Sequence, residues 1–318
     1  MRRRVQLVGV AALTLAATLW AGGIGRAQSS PSPAPSPAPF DASKLTPEQQ
    51  KALQLAIIKT SQNPVGNIGV VPFQNNFNYG VGPYARFQYN LNVQPVIPIA
   101  LGADMNLISR TIIPFINQPS GAPPTVCAQF GCGSTLGIGD AQEQLFFAPK
   151  TKPGQFIWGV GPIFQVPTAS PGVLGAGKWG AGPDAVGLLM PGNWVMGALA
   201  TQVWSFAGQA NRPNVNAFLV QPFINYNLPR GWAISTAPSI TANWTTTDGR
   251  WAVPVGLSVS NTFKDYDQLM SIAVSYYTYV ARPISAPQTQ LRVQWSLLYP
   301  IRRGINVEDL IKEATGPQ

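Results

Sequence analysis

Residues 84–94, YARFQYNLNVQ, alternate almost without error. Arg86, Gln88, Asn90, Asn92 and Gln94 fall on one side, and Ala85, Phe87, Tyr89, Leu91 and Val93 on the other. A β-strand sends successive side chains to opposite faces, so this stretch is a ribbon with one wet and one greasy side. The pattern returns in residues 231–244. There Trp232, Ile234, Thr236, Pro238, Ile240, Ala242 and Trp244 share one face, opposite Ser235, Ser239, Thr241 and Asn243. A tryptophan at each end of an apolar band is the placement that membrane interfaces favour. Trp194, Trp204, Trp251, Tyr276 and Trp295 are candidates for the same girdles.

The chain has 318 residues, of which 10% are charged, well below the ~25% of ordinary soluble domains. Glycine and proline number 31 each, which suits many turns and argues against long helices. After residue 27 no stretch approaches the ~20 unbroken apolar residues of a membrane helix. A membrane crossing therefore needs a closed sheet, because lipid cannot satisfy open backbone groups. A soluble lipocalin-like barrel or sandwich would invert the alternation, with apolar residues inside. Low charge, strand length and turn asymmetry favour the membrane form.

Residues 1–27 read as a secretory signal: Arg2, Arg3 and Arg4, an apolar run from Val5 to Trp20, and small residues at Gly25-Arg26-Ala27. A membrane anchor is the alternative, but the apolar run is short for one. No cysteine stands directly after that run, at the cleavage region, which excludes a lipoprotein anchor. Cleavage after Ala27 removes Arg2, Arg3, Arg4 and Arg26 and lowers the net charge from +9 to +5. With no basic run of five or more, nucleic-acid binding is not indicated.

Residues 28–45 form a Pro-rich periplasmic linker, and residues 46–60 an amphipathic helix. Thr46 is its N-cap, Pro47 fits the first turn, Glu48 complements the dipole, and Leu53, Ala56 and Ile57 give one apolar stripe. Such a helix can lie on the membrane, plug a barrel or touch a neighbour; packing at the periplasmic end is the simplest placement.

The barrel is expected over residues 66–300, an all-β transmembrane antiparallel barrel of about 12 strands, with a tail at 301–318. The strands fall at 68–79, 83–96, 104–116, 139–148, 155–166, 184–190, 194–207, 214–227, 231–244, 250–260, 268–281 and 287–299. The span 184–190 is short, and 68–79 alternates poorly. If the last strand runs toward the periplasm, the connections 97–103, 149–154, 191–193, 228–230 and 261–267 lie on the periplasmic side and are short. The long connections 117–138 and 167–183 then lie outside, the known asymmetry of such barrels.

Catalytic and cofactor chemistry finds little support. Gly175-Ala176-Gly177-Lys178-Trp179-Gly180 matches a dinucleotide-type pattern but lacks the strand-to-helix context that the motif requires. The chain contains no histidine, so a Ser-His-Asp relay is impossible. Asp140 and Glu143 fall on opposite faces of one strand, and Asp265 and Asp267 lie in a turn. No cofactor, metal or catalytic residue is expected, although a lipid-facing cluster of acids and hydroxyls would reopen the case for a lipid-modifying enzyme. Cys127 and Cys132, in a Gly/Pro-rich stretch, are expected to form a loop disulfide; half of a metal site is the rival.

The predicted lumen is lined by Arg86, Gln88, Asn90, Asn92 and Gln94, with Arg110, Asn225, Asn227, Gln290, Arg292 and Gln294 from other strands. Amides with a few arginines make a polar wall that bonds solutes and weakly prefers anions. The same residues could instead bond one another and plug a small barrel. A twelve-stranded interior lies between filled eight-stranded barrels and wide porins. Membrane lipid, a small-molecule solute and the outer-membrane insertion machinery are the expected partners; the sequence does not fix the oligomeric state.

The stretch Asn90 to Ile99 (NLNVQPVIPI), followed by Asn106 to Pro114 (NLISRTIIP), resembles the proteobacterial "MetA-pathway of phenol degradation" group, often labelled "transporter" or neuromedin U. Gly137-Ile138-Gly139-Asp140, Trp158-Gly159-Val160-Gly161-Pro162 and Gln221-Pro222-Phe223-Ile224-Asn225-Tyr226 resemble it too. The resemblance covers roughly residues 65–300. It implies an outer-membrane barrel of a Gram-negative cell, the group's name suggests uptake of aromatic compounds, and it carries no catalytic residue. One departure is the end of the chain: comparable barrels finish on a strand with a terminal aromatic, whereas here a tail follows Leu298-Tyr299-Pro300, with a short helix expected over 307–312.

Overall fold

The computed structural model describes residues 46–300, apart from 67, 152–153, 248 and 266–267. The expected signal, linker and C-terminal tail lie outside the described residues. Twelve antiparallel strands form one closed barrel. They are β1 (Ile68–Val81), β2 (Arg86–Val93 and Val96–Leu101), β3 (Met105–Pro119), β4 (Ser134–Ile138 and Ala141–Pro149), β5 (Ile157–Val166) and β6 (Lys178–Leu189). The rest are β7 (Trp194–Gly208), β8 (Asn216–Asn227), β9 (Trp232–Thr236 and Ile240–Asn243), β10 (Trp251–Asp265), β11 (Gln268–Ala281) and β12 (Thr289–Pro300). Each strand pairs with its neighbours in sequence, and β1 pairs with β12 from Ile68↔Pro300 to Tyr79↔Thr289, which closes the sheet and leaves no edge.

The expected strand count holds, and the departures in length have local causes. β2 breaks at Gln94–Pro95, where proline has no N–H for the ladder, then resumes to Leu101 and consumes most of the expected 97–103 connection. β6 is the short span 184–190 extended back to Lys178, so half of the glycine-rich motif is strand. β9 is interrupted around Pro238, and β4 between Ile138 and Ala141. The expected 117–138 loop shortens from both sides, because β3 runs on to Pro119 and β4 starts at Ser134. What remains carries a second helix, α2 (Pro124–Phe130), that the sequence did not announce.

The first helix, α1 (Pro47–Ser61), is capped as expected. The Gln49 N–H donates to Thr46 Oγ1 at 3.2 Å, and the Thr46 N–H donates to Gln49 Oε1 at 2.9 Å. Of the expected stripe Ala56 is buried and Leu53 half-buried, and Ile58 and Lys59 are buried with Ala56. Lys59 Nζ donates to the carbonyls of Met190 and Gly192 at 2.7 and 2.9 Å, tying α1 to the turn before β7. The Gln62 and Asn227 amides bond each other at 2.9 and 3.1 Å. The helix thus sits at the short-turn end, the periplasmic end by the usual asymmetry.

The exterior is apolar. Trp194, Trp204, Trp232, Trp244, Trp251, Tyr276 and Trp295 are all exposed, as are Val255, Leu257, Val259, Ile272 and Val274 between them. The interior departs from a uniformly polar expectation. Ile108, Phe146, Ala148, Ile157, Val186, Leu188, Val195 and Leu199, on the inner faces of β3–β7, form one buried hydrophobic cluster with Val65 from the α1–β1 connection. Glycines thin this wall: a Cβ on Gly161 would overlap the Leu145 carbonyl oxygen, and one on Gly182 the Gln202 carbonyl oxygen.

Candidate functional site

A cavity of about 290 Å³ lies inside the barrel. Ser61–Pro64, at the end of α1 and just after it, line it together with Ile68, Val70 and Leu298 near the short-turn end. Arg292 lies six residues along β12 from Leu298, about 20 Å at ~3.3 Å per residue, and lines the far part with Tyr277. Arg110, Gln94 and Gln74 line it from β3, β2 and β1, and Ser235, Ser258 and Ser275 from β9, β10 and β11.

The polar side chains of β12, β1, β2 and β3 form one hydrogen-bonded chain. Arg110 Nη2 donates to Gln94 Oε1 at 2.6 Å, Gln94 Nε2 to Gln74 Oε1 at 3.2 Å, and Gln74 Nε2 to Asn76 Oδ1 at 3.1 Å. Arg292 Nε reaches the same Asn76 oxygen at 3.0 Å, and its Nη2 donates to Gln290 Oε1 at 3.1 Å. Gln290 Nε2 then donates to Asn78 Oδ1 and Asn78 Nδ2 to Gln88 Oε1, both at 2.8 Å; Gln88 passes on to Gln118. Strand register explains the chain: Asn76 faces Arg292 and Asn90, and Asn78 faces Gln290 and Gln88, all on the inner side. The Arg292 guanidinium lies 5.1 Å from the Tyr277 ring centroid, a cation–π contact.

Gln94, Arg110, Asn225, Arg292 and Gln294 line the cavity, while Gln88 and Gln290 continue the relay beyond it. Asn92 faces Gln74 on the inner side, and half-buried Asn90 accepts from Asn76 through its backbone carbonyl. Asn227 is 2% exposed and holds α1. Arg86 has a different place. It donates to the carbonyl of Ser120, to that of Ala122 at 2.6 Å and to Cys127 Sγ at 2.9 Å, so it braces the long loop at the external end. In that loop Cys127 and Cys132 are paired, with Cα atoms 4.6 Å apart.

Sequence reading missed Gln74, Asn76, Asn78 and Gln118. In Gln74-Asn75-Asn76 the middle amide spoils the alternation because Asn75 points outward, where the Tyr89 hydroxyl donates to it at 2.7 Å. Pairing β1 to the well-patterned β2 would have supplied the missing phase.

Other chemistry-bearing groups have separate places. Asp140 Oδ2 accepts the Ala176 N–H at 2.6 Å, and Oδ1 accepts the Ala169 N–H, which shapes the glycine-rich loop. Asp184 is inward and accepts from Thr201 Oγ1 at 2.9 Å. Glu143 faces outward, paired with Thr111 and Phe164, and its two oxygens accept from Ser109 Oγ and Thr111 Oγ1 at 2.6 Å each. Among the described residues no group of three or more metal-ligating side chains exists.

No family model matches the chain, and no curated protein matches it. Solved structures do. The COG4313 outer membrane channel from Pseudomonas putida F1 superposes with a TM-score of 0.52 at 15% identity, over 73% of this chain and 94% of that one. The NanC porin gives 0.46 at 8% identity, over 72% and 98%. Outer membrane phospholipase A from Escherichia coli gives 0.41 at 10%, over 72% and 95%. At these identities the likeness concerns architecture only. With apolar side chains outward, aromatic rings among them and a polar relay within, the chain has the fold of the outer-membrane β-barrels.

Proposed function

We propose that this barrel is an outer-membrane channel for passive passage of small molecules, with the cavity on the solute's path. The observation that carries the reading is the hollow between Arg110 and Arg292, lined by amides and hydroxyls inside a closed, lipid-facing wall. In this reading Gln94, Arg110, Asn225, Arg292 and Gln294 form the polar surface that solutes meet, and Gln88, Asn90, Asn92 and Gln290 continue it along the inner wall. The likeness of residues 65–300 to the phenol-degradation group supports small aromatic or hydrophobic compounds as cargo, and the insertion machinery delivers the barrel to the membrane. Purified protein in planar bilayers is expected to conduct ions, and Arg110→Glu to move selectivity toward cations. Absence of both conductance and solute flux, with uptake unchanged in a gene deletion, rejects the reading.

Two observations favour other readings. The floor formed by α1 and the hydrophobic cluster supports a non-transporting structural or adhesion barrel with a plugged lumen, which predicts no conductance even after α1 is removed. The outward Glu143–Ser109–Thr111 cluster supports lipid hydrolysis. Against it, the surrounding backbone N–H groups are committed to the ladder and leave no oxyanion donors beside Ser109. Phospholipid turnover abolished by Ser109→Ala would establish that activity.

A further inference from the structure

Two cations, Arg110 and Arg292, line the cavity, and no acid does. Asp184 stands behind that wall on β6, 2% exposed and outside the cavity lining. It is nevertheless tied to the neighbourhood of Arg110. Across the β3–β4 ladder Arg110 faces Gln144. Gln144 Nε2 donates to Thr201 Oγ1 at 3.3 Å, and Thr201 Oγ1 donates to Asp184 Oδ1 at 2.9 Å. Asp184 and Thr201 are also cross-strand partners, so register and hydrogen bond together pin the carboxylate. Asp184 Oδ2 is buried with no hydrogen-bond partner of its own, as is Gln144 Oε1. The carboxylate attracts the Arg110 guanidinium electrostatically, while the guanidinium's own hydrogen bond goes to Gln94. Ionisable groups inside a membrane protein pair with one another, and their attraction reaches further where little water intervenes. Arg292 is covered in another way: it is 8% exposed, bonds Asn76 and Gln290, and lies against the Tyr277 ring.

We infer that Asp184 determines the selectivity of the passage: as a counter-charge behind the wall it offsets the field of Arg110 in the cavity, which therefore takes small uncharged solutes in preference to anions. The inference rests on the channel reading and names its solute class. Apart from the two arginines the lining is neutral, with amides and hydroxyls such as Gln74, Gln94, Ser258 and Ser275 beside apolar Val70 and Phe223. An anion entering this wall leaves its water and meets a guanidinium whose attraction Asp184 has already weakened, so its desolvation is not repaid. An uncharged solute exchanges hydrogen bonds to water for hydrogen bonds to amides and hydroxyls at little net cost. The volume of about 290 Å³ equals about ten waters at ~30 Å³ each, which suits a solute of about ten heavy atoms. Asp184 itself never touches that solute; it acts through its charge.

The test is the reversal potential of the full chain in planar bilayers under a potassium chloride gradient. Asp184→Asn keeps the side chain's size and an acceptor for Thr201, and is expected to raise the chloride-to-potassium permeability ratio at least threefold. Arg110→Gln leaves Asp184 unmatched and is expected to lower the ratio at least threefold, to cation preference. The double variant should return to within twofold of the unaltered protein, which a merely structural effect of either substitution would not do. A second arm follows the swelling of proteoliposomes in arabinose and in potassium arabinonate, with valinomycin present so that potassium follows the anion. Arabinose is expected to enter at least tenfold faster through the unaltered protein, and Asp184→Asn to narrow that difference. A reversal potential unmoved by Asp184→Asn overturns the proposal, as does a double variant that keeps the selectivity of Asp184→Asn alone. Arabinonate entering as fast as arabinose overturns the solute class. If Asp184→Asn does not fold, Arg110→Gln decides: cation preference supports an unmatched acid behind the wall, and its absence overturns the proposal. Conductance whose selectivity ignores Asp184 ends this inference and leaves the channel standing, whereas absence of any conductance ends the channel reading and the inference together.

Discussion

The inner face of the barrel has a wet half and a dry half. On β12, β1, β2 and β3 amides and two arginines pass hydrogen bonds from strand to strand. On β4–β7 the same inward positions carry Phe146, Ile157, Val186, Leu188, Val195 and Leu199, and glycines let the strands approach closely. Both halves present hydrophobes to lipid, so only the wet half alternates. The lesson is that a membrane barrel needs an apolar exterior but not a uniformly polar interior: where α1 and the wall close the interior against water, hydrophobic packing serves as well.

The comparison can be broken at either half. The largest effect is expected from Gly161→Val in the dry wall. Its Cβ would overlap the Leu145 carbonyl, so no folded barrel should form, read as loss of the compact band in unheated gels. Phe146→Ala keeps the backbone but empties a fully buried site in the cluster; a loss of about 3–5 kcal/mol in guanidinium unfolding is expected. In the wet half, Arg292→Leu strips a charged donor from Asn76 and Gln290 and should cost about 2–3 kcal/mol in the same measurement. A dry-half substitution costing less than Arg292→Leu would reverse the assignment of strength to the two halves. The smallest effect concerns their shared floor. Gln62→Ala removes the amide pair with Asn227 and should cost about 1 kcal/mol, with Asn227→Ala non-additive in a double-mutant cycle.

Legibility followed this division. The stretch 84–94 was plain because its inward and outward residues differ in polarity at every step. β6 was the hardest to find because glycine, proline and alanine on both faces erase the period-two signal; Lys178 and Asp184, both inward, are its few polar markers. Arg86 was read as a pore residue from its face alone, yet a loop of more than thirty residues' separation folds back to accept its hydrogen bonds. Nothing local to Arg86 could announce that contact. Lys59 is a similar case: a lysine on a helix reads as solvated, but two turn carbonyls from β6–β7 receive it.

Sequence by itself determined that this chain is a twelve-stranded sheet with oil-facing and water-facing sides, because backbone periodicity and the solvation of side chains act locally. Only the tertiary structure decided which inward residues meet. Closure of β1 on β12 set Asn76 against Arg292 and Asn78 against Gln290, partners more than two hundred residues apart. Long-range pairing register is a property of the closed sheet, and it alone turned scattered amides into one relay with an arginine at each side of a cavity.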